Sequence, residues 1–349
     1  MGRVLDVGAQ FQIDSTPLGG LADILQPGIR YRPINTHVAR SKYQSLAKEF
    51  PSYSGGSAYS ETLINANYSI TAAGFGNGIF AVGNAHGEIF LSKDGRSWTN
   101  KTIGLTGSKV DQIDMMGGFW FCRVGSAIYV SKNLMSWKQV NVSNSLQNVD
   151  VVFNGTYWFA ANGGQFYRAN DPLGTWENVS SVNGTISKMA ASPETGTVLY
   201  WNSSYANVDR STDNGESWST VRSNNNFNSA SYGAGTWVMV SGTSSGAVYS
   251  LDDGQTWQST QNDVRDKVTF GSDLFLSFNN ADAYVSENGK SWSKLSSASH
   301  AVGIGVITEY GIVSGGPSGT GYAAITGLDT EKTLLLSGDP AEARMVRVE

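Results

Sequence analysis

The chain has 349 residues, 41 of them glycine, with only 15 % charged and 40 % hydrophobic. With its abundant Ser, Thr and Asn, that mixture fits many short strands joined by many turns and excludes a long-helix or coiled-coil protein. A net charge of −5, with its 24 Lys and Arg dispersed, speaks against nucleic-acid binding, and no apolar run reaches the ~18 residues of a membrane helix.

In chain order, the opening Met1-Gly-Arg-Val-Leu-Asp-Val-Gly8 carries an early charge and no apolar core, so it does not read as a secretory signal. Residues 1–19 read as an extended arm with short strands and a break at Pro17. After Pro27-Gly-Ile-Arg-Tyr31-Arg-Pro33-Ile-Asn35 a short helix is expected, with Ser41 as its N-cap and Tyr43, Leu46 and Phe50 on one face. Pro51 ends it. Residues 1–61 therefore read as an N-terminal docking arm, outside the repeat that follows.

The repeat is marked by Trp98, Trp137, Trp176, Trp218, Trp257 and Trp292, spaced by 39, 39, 42, 39 and 35 residues. Each closes a short polar segment. The segments carry Ser92, Asp94 and Gly95; Ser131 and Asn133; Ser211, Asp213 and Gly215; Ser250, Asp252 and Gly254; and Ser286, Asn288 and Gly289. The third copy, Asn170-Asp171-Pro-Leu-Gly174-Thr-Trp176, is degenerate. About 18 residues upstream runs a second aromatic repeat after a glycine turn, as in Gly76-Asn-Gly-Ile-Phe80 and Gly233-Ala-Gly-Thr-Trp237. Short alternating runs such as Ala127-Ile-Tyr-Val130 lie between the two. Each unit of ~39 residues then reads as four short strands, which is one propeller blade. A blade cannot bury both faces alone, so ring closure forms the core.

The fold class expected is all-β, a β-propeller of about seven four-stranded blades, with six as the alternative. The propeller is expected over residues 62–338. Six blades run from about Leu63 to Ala298, and the seventh comes from Val306–Ser314, Gly321–Thr326 and Thr333–Leu336. Residues 339–349 are expected to supply a closing strand, pairing Arg344–Glu349 with Arg3–Val7 or with the run from Gln10.

The segments around the six tryptophans resemble the Asp-box, or BNR repeat. The copies at Asp213 and Asp252 have its full Ser-x-Asp-x-Gly-x-Ser/Thr-Trp spacing, and those at Asp94 and Asn288 are one residue shorter. The residues themselves suggest a mechanical role: hydroxyl and carboxylate accept backbone N–H groups across a hairpin, glycine supplies a positive φ and tryptophan covers the turn. Ser92, Asp94, Gly95, Trp98, Asn133, Trp137, Trp176, Ser211, Asp213, Gly215, Trp218, Ser250, Asp252, Gly254, Trp257, Asn288, Gly289 and Trp292 are accordingly expected to be structural.

Tyr31-Arg-Pro33-Ile-Asn35 and Tyr43-Gln-Ser-Leu46 resemble, in order and approximate spacing, the strand and short helix of phage tail-collar modules, with Thr36 where that family has glycine. Collar-like segment and Asp-box repeats together resemble virion tail proteins of tailed phages. The resemblance implies a non-enzymatic tail component, either receptor-binding or tail-decorating, located in the virion and made in the host cytoplasm. It implies docking to other tail proteins through residues 1–61, a homo-oligomer with a trimer favoured, and a host cell-surface glycan as the candidate ligand.

Candidate chemistry is sparse. Cys122 is the only cysteine, flanked by Phe119, Trp120, Phe121 and Val124, and reads as a buried thiol. His37, His86 and His300 lack ligand spacing, so neither metal nor cofactor is expected. The alternative function is a glycan-degrading propeller enzyme, sialidase-like or a polysaccharide depolymerase. A sialidase needs three convergent arginines, but Arg96, Arg123, Arg168, Arg210, Arg222 and Arg265 are scattered over the repeat. A two-carboxylate glycosidase would draw on Asp111, Asp114, Asp150, Asp263 and Asp266, at positions able to face a central channel. Polar segments such as Asn202-Ser-Ser-Tyr205 and Ser223-Asn-Asn-Asn-Phe227 suit a glycan surface, though they read first as ordinary solvated turns. The sequence does not say which propeller face binds.

Overall fold

A computed structural model describes residues 10–12, 31–33, 36–39, 60–65, 67–93, 95, 97–101, 108–142, 151–182, 184–202, 207–223, 227–242, 246–260, 264–271, 273–279, 282–294, 304–308, 311–315, 321–326, 333–336 and 344–347. The chain is all-β, and no helix occurs among these residues. The helix expected after Ser41 lies outside them.

Six blades each consist of four consecutive antiparallel strands. Blade 1 is Ile70–Gly76, Ile79–Asn84, Ile89–Ser92 and Thr99–Asn100. Blade 2 is Val110–Met116, Phe119–Val124, Ala127–Ser131 and Lys138–Val140. Blade 3 is Val152–Phe153, Trp158–Asn162, Gln165–Ala169 and Glu177–Ser181. Blade 4 is Ile186–Ala191, Val198–Asn202, Val208–Ser211 and Ser219–Arg222. Blade 5 is Phe227–Gly233, Thr236–Ser241, Ala247–Ser250 and Gln258–Ser259. Blade 6 is Arg265–Gly271, Leu274–Asn279, Asp282–Ser286 and Ser293–Lys294.

The seventh four-stranded sheet is assembled from both sides of the repeat. Ile304–Thr308, Gly311–Gly315 and Gly321–Thr326 are joined on the outside by Ser60–Asn65, which runs antiparallel to Gly321–Thr326 with Ser60 opposite Ile325. Its first strand reaches the channel, where Gly305 lines the same cavity as Ala72, Gln112 and Lys267 of blades 1, 2 and 6. Thr333–Leu336 corrects the expectation: instead of completing this blade it pairs with Thr36–Ala39. Pairing strands from the two ends of the repeat in one sheet closes the ring through main-chain hydrogen bonds.

The core lies in the seams between blades. Second strands such as Val198–Asn202 and Thr236–Ser241 are buried along their whole length. That explains why they read as continuous apolar runs rather than alternating ones, as strands covered on both faces do. One seam joins Leu199 and Trp201 of blade 4 to Trp237 and Met239 of blade 5. Another joins Phe121 and Val130 of blade 2 to Trp158 and Trp176 of blade 3. Cys122 is buried as expected, and its burial pushes the thiol up to about 12 against the pull of Arg123.

The chain divides into two compact units. The propeller unit comprises residues 60–307 and 313–325, and the other comprises residues 1–59, 308–312 and 326–349. In the second unit Arg344–Arg347 lies between two strands, Gln10–Gln12 and Tyr31–Pro33, antiparallel to both. The expected closing strand thus pairs with the Gln10 run, as one of the two alternatives held.

Candidate binding surfaces of the propeller

The Asp-box hairpins join the third and fourth strands. In blade 4 the Ser211 hydroxyl donates to Asp213 Oδ1 at 2.7 Å and accepts the Gly215 N–H at 2.9 Å. Asp213 Oδ1 accepts the Ser217 N–H at 3.0 Å. Blade 5 repeats the set with Ser250, Asp252, Gly254 and the Thr256 N–H. Burial alone would raise the Asp213 carboxyl, but hydrogen bonds from Ser217 and Ser211 overcome it and hold it at about 2. For Asp252 the Thr256 hydroxyl and N–H lead, and the result is again about 2. Ser92 accepts the Gly95 N–H at 2.8 Å, whereas Asp94 lies outside the described residues. In blade 6 Ser286 accepts the Gly289 N–H at 2.9 Å and Asn288 accepts that of Lys290 at 2.9 Å.

The tryptophans close these turns. Trp98, Trp257 and Trp292 each donate the indole N–H to the carbonyl of their own box glycine, at 3.2, 3.1 and 3.2 Å. The degenerate third copy does the same to Pro172 at 3.3 Å through Trp176. In blade 2 Leu134 stands in the glycine position at φ 62°, accepted by Asn133 and Ser131 side chains bonding the same turn, and the buried Trp137 Nε1 has no partner. Trp218 departs differently: its indole bonds Ser180 of blade 3 at 3.1 Å.

The boxes of blades 4, 5 and 6 also touch the blade before them, a role that local sequence spacing does not reveal. A Cβ on Gly289 (φ 72°) would sit 2.4 Å from Val238 Cγ2 of blade 5, so this glycine is needed for close approach as well as for its backbone angle. An arginine on the third strand of the preceding blade reaches across the seam. Arg168 donates to the Asn214 carbonyl at 2.9 Å and Arg210 to the Asp253 carbonyl at 2.7 Å. The Asp253 carboxylate completes a four-donor clamp with Arg210, Thr195, Thr197 and Trp237.

These contacts also locate the arginines. Arg168 and Arg210 lie in outer seams, and Arg123 pairs with Asp111 at 3.2 Å. Arg222 lies over Phe227 with its centre 5.9 Å from the ring. They do not converge on one anion site. Arg96, and the side chain of Arg265, lie outside the described residues.

First strands line the central channel. One cavity there, of about 410 Å³, is bounded by Gln112, Asp114, Lys188, Ser231 and Tyr232 among others; a second, of about 190 Å³, shares Gln112 and Asp114 and adds Asp111, Lys267 and Gly305. Of the candidate acids, Asp111 and Asp114 therefore face the channel. Asp111 is held by Arg123 and Lys109, and Asp114 accepts from Gln112 at 3.0 Å. Asp266 sits at a strand irregularity with φ 64°, and Asp150 and Asp263 lie outside the described residues. The channel wall is stitched by side chains bonding the main chain one repeat ahead. Gln112 both donates to and accepts from Val151, at 2.8 and 2.9 Å; Ser229 does so with Val268, at 3.2 and 3.3 Å; Thr71 donates to Val110 at 2.6 Å. Each bond spans 39 residues and satisfies strand edges that would otherwise be unpaired.

A third cavity, of about 600 Å³, lies on the flank between blades 3 and 4. Asn202, Tyr200, Asp209 and Trp218 line it. Asn202 belongs to one of the polar segments noted in the sequence; residues 203–206 of that segment, and 224–226 of the other, lie outside the described residues. Asp209 was not evident as a site residue from the sequence. The signal available was its place in the repeat, where Val208-Asp209-Arg210-Ser211 aligns with Ile128-Tyr129-Val130-Ser131.

No family model matches the chain, and no curated protein matches it in sequence. The fold is similar to that of several solved propellers. A peptide-bound YCF48 is 12 % identical, covering 79 % of this chain and 99 % of its own, at a TM-score of 0.60. A virginiamycin B lyase from Staphylococcus aureus, with quinupristin, is 9 % identical, with 76 % and 99 % covered and a TM-score of 0.62. A streptogramin B lyase is 8 % identical, with 77 % and 98 % covered and a TM-score of 0.62. At these identities the likeness is one of fold alone, spanning one structure with a bound peptide and others that are enzymes.

Proposed function

We propose that this chain is a non-enzymatic component of a bacteriophage tail, in which the propeller is a head presented for host-surface binding and the paired chain ends form the part that docks. The observation that carries this reading is the division of the chain into two units. Gln10–Gln12, Tyr31–Pro33 and Arg344–Arg347 form one sheet, and Thr36–Ala39 pairs with Thr333–Leu336, while the ring closes on itself. Docking through residues 1–61 is thereby extended to include the C-terminal strand. The collar-like residues Tyr31–Asn35 fall in this unit, as a mounting element would. The structural engagement of Arg123, Arg168 and Arg210 favours a binding head over a sialidase.

In this reading the docking unit also builds a closed, symmetric homo-oligomer, a trimer first by resemblance to collar-like tail proteins. The test is a phage encoding the chain from Tyr59 onward. The shortened protein, which retains the closing strand Ser60–Asn65, is expected to be soluble, monomeric by light scattering and absent from assembled particles. Normal incorporation would refute the docking role. Shortening of host surface polysaccharide by the purified full chain would refute the non-enzymatic reading in favour of a depolymerase.

A further inference from the structure

The third strand of the blades follows a rule that blade 4 breaks. Two residues before the box position, blades 2, 3 and 6 carry Tyr129, Tyr167 and Tyr284, opposite Cys122, Ala160 and Ser277 on the second strand. Blades 1 and 5 carry apolar pairs there, Phe90 with Val82 and Val248 with Met239. In blade 4 the tyrosine has moved inward to Tyr200, and the third strand carries Asp209. Drawing the bulky ring one strand inward leaves room at the outer strands, and the 600 Å³ flank cavity occupies that place.

Asp209 is 8 % exposed, and among the described residues no lysine or arginine pairs with it. Its neighbours are the hydroxyls of Thr220 and Tyr200, and burial followed by this bond pushes the Tyr200 hydroxyl well above its ordinary value. A carboxylate has about four acceptor positions, and among the described residues two hydroxyls occupy part of that capacity, which leaves room for a ligand's hydroxyls. The diverted Trp218 supports the same site. Ser180 takes its indole N–H and donates onward to the Gly215 carbonyl at 2.7 Å, so that the ring and this hydroxyl both line the cavity.

We propose that this flank cavity binds an uncharged hexopyranose unit. Adjacent sugar hydroxyls donate to Asp209 in charge-assisted bonds, Asn207 engages a further hydroxyl, and the apolar C–H face of the ring lies against Trp218. The volume is that of a small-molecule site. Glu216, on the same rim, is paired with Arg168 at 3.3 Å, which leaves no cation to receive an acidic sugar. The proposal deepens the host-surface reading by naming a ligand class and a place, and it is tested without reference to particles.

The experiment is calorimetric titration of the full chain with maltose, lactose, cellobiose and chitobiose, and with galacturonic and N-acetylneuraminic acids. At least one uncharged probe is expected to bind and neither acid. Asp209→Asn is expected to weaken that binding at least tenfold, and Ser181→Trp, at an exposed position on the cavity rim, to abolish it with an unchanged Tm. Ser181→Trp keeps the test decisive if Asp209→Asn fails to fold. Absence of binding by every uncharged probe, preference for an acid, unchanged affinity in both variants, or loss on Asp114→Asn instead would overturn the proposal. Failure here with continued exclusion of the shortened chain from particles would leave the tail reading standing.

Discussion

Blades 4 and 5 carry the same box at the same spacing and use its serine and aspartate in the same way. Their flanks nevertheless differ. In blade 5, Val248 and Met239 are buried in the seam behind the hairpin and Trp257 bonds its own turn. In blade 4, Tyr200 and Asp209 occupy the matching pair, Trp218 bonds the neighbouring blade, and a cavity opens. The repeat therefore fixes the scaffold, and chemistry enters where one copy departs from it.

The largest expected effect comes from forcing blade 5 to resemble blade 4 on one strand only. Val248→Asp should cost about 4 kcal/mol or more in a urea melt, because the carboxylate enters an apolar seam with no donor waiting. Next is Trp257→Ala, with an expected loss of about 3 kcal/mol as the cover over the hairpin and the seam contact disappear. If Trp218→Ala costs the same, the distinction between the two tryptophans is energetic in neither blade. Asp213→Ala should cost about 1–3 kcal/mol, from the Ser217 and Ser211 bonds. The smallest shift belongs to the paired change Tyr200→Met with Asp209→Val. It gives blade 4 the side chains of blade 5 and should alter stability by less than about 1 kcal/mol, since Tyr200 and Asp209 leave together and the exposed Thr220 hydroxyl can turn to water.

Acid offers a further way to sharpen the comparison, because it acts on both boxes alike. Asp213 and Asp252 have carboxyls lowered to about 2, so they are deprotonated more readily folded than unfolded. Their contribution is complete above the unfolded value near 4 and is lost as pH falls through about 2. Stability should therefore decline between about pH 4 and pH 2, and Asp213→Asn with Asp252→Asn should flatten that decline in melts across the range.

The fold was legible because the six tryptophans recur at nearly constant spacing and bring their glycine turns with them. The closing strand was not, since Ser60–Asn65 lies before the first aromatic repeat and its partner is some 260 residues away, a pairing that no local pattern encodes. The second duty of Gly289 was hidden for the same reason: Val238 approaches it from another blade. Asp209 was within reach, as an acid in a column of tyrosines, but only an alignment of the blades against one another exposes it. The placement of Asp111 and Asp114 on the channel followed directly from their position at the starts of blades.

The closing pair has a mechanical consequence. Ser60 and Ile325 face each other at one end of it, and beside each a linker leads out of the sheet's last pair. Tension applied between the two linkers would not shear that pair. It would peel it, loading one hydrogen bond at a time from Ser60 toward Asn65, which is the weakest way to pull two strands apart. Where Gln10–Gln12 and Arg344–Arg347 hold the chain ends together, tension passes between the two ends without crossing the ring. The terminal strands, and behind them the pair of Thr36–Ala39 with Thr333–Leu336, thus act as a strain relief, and both must open before the closing pair bears the load.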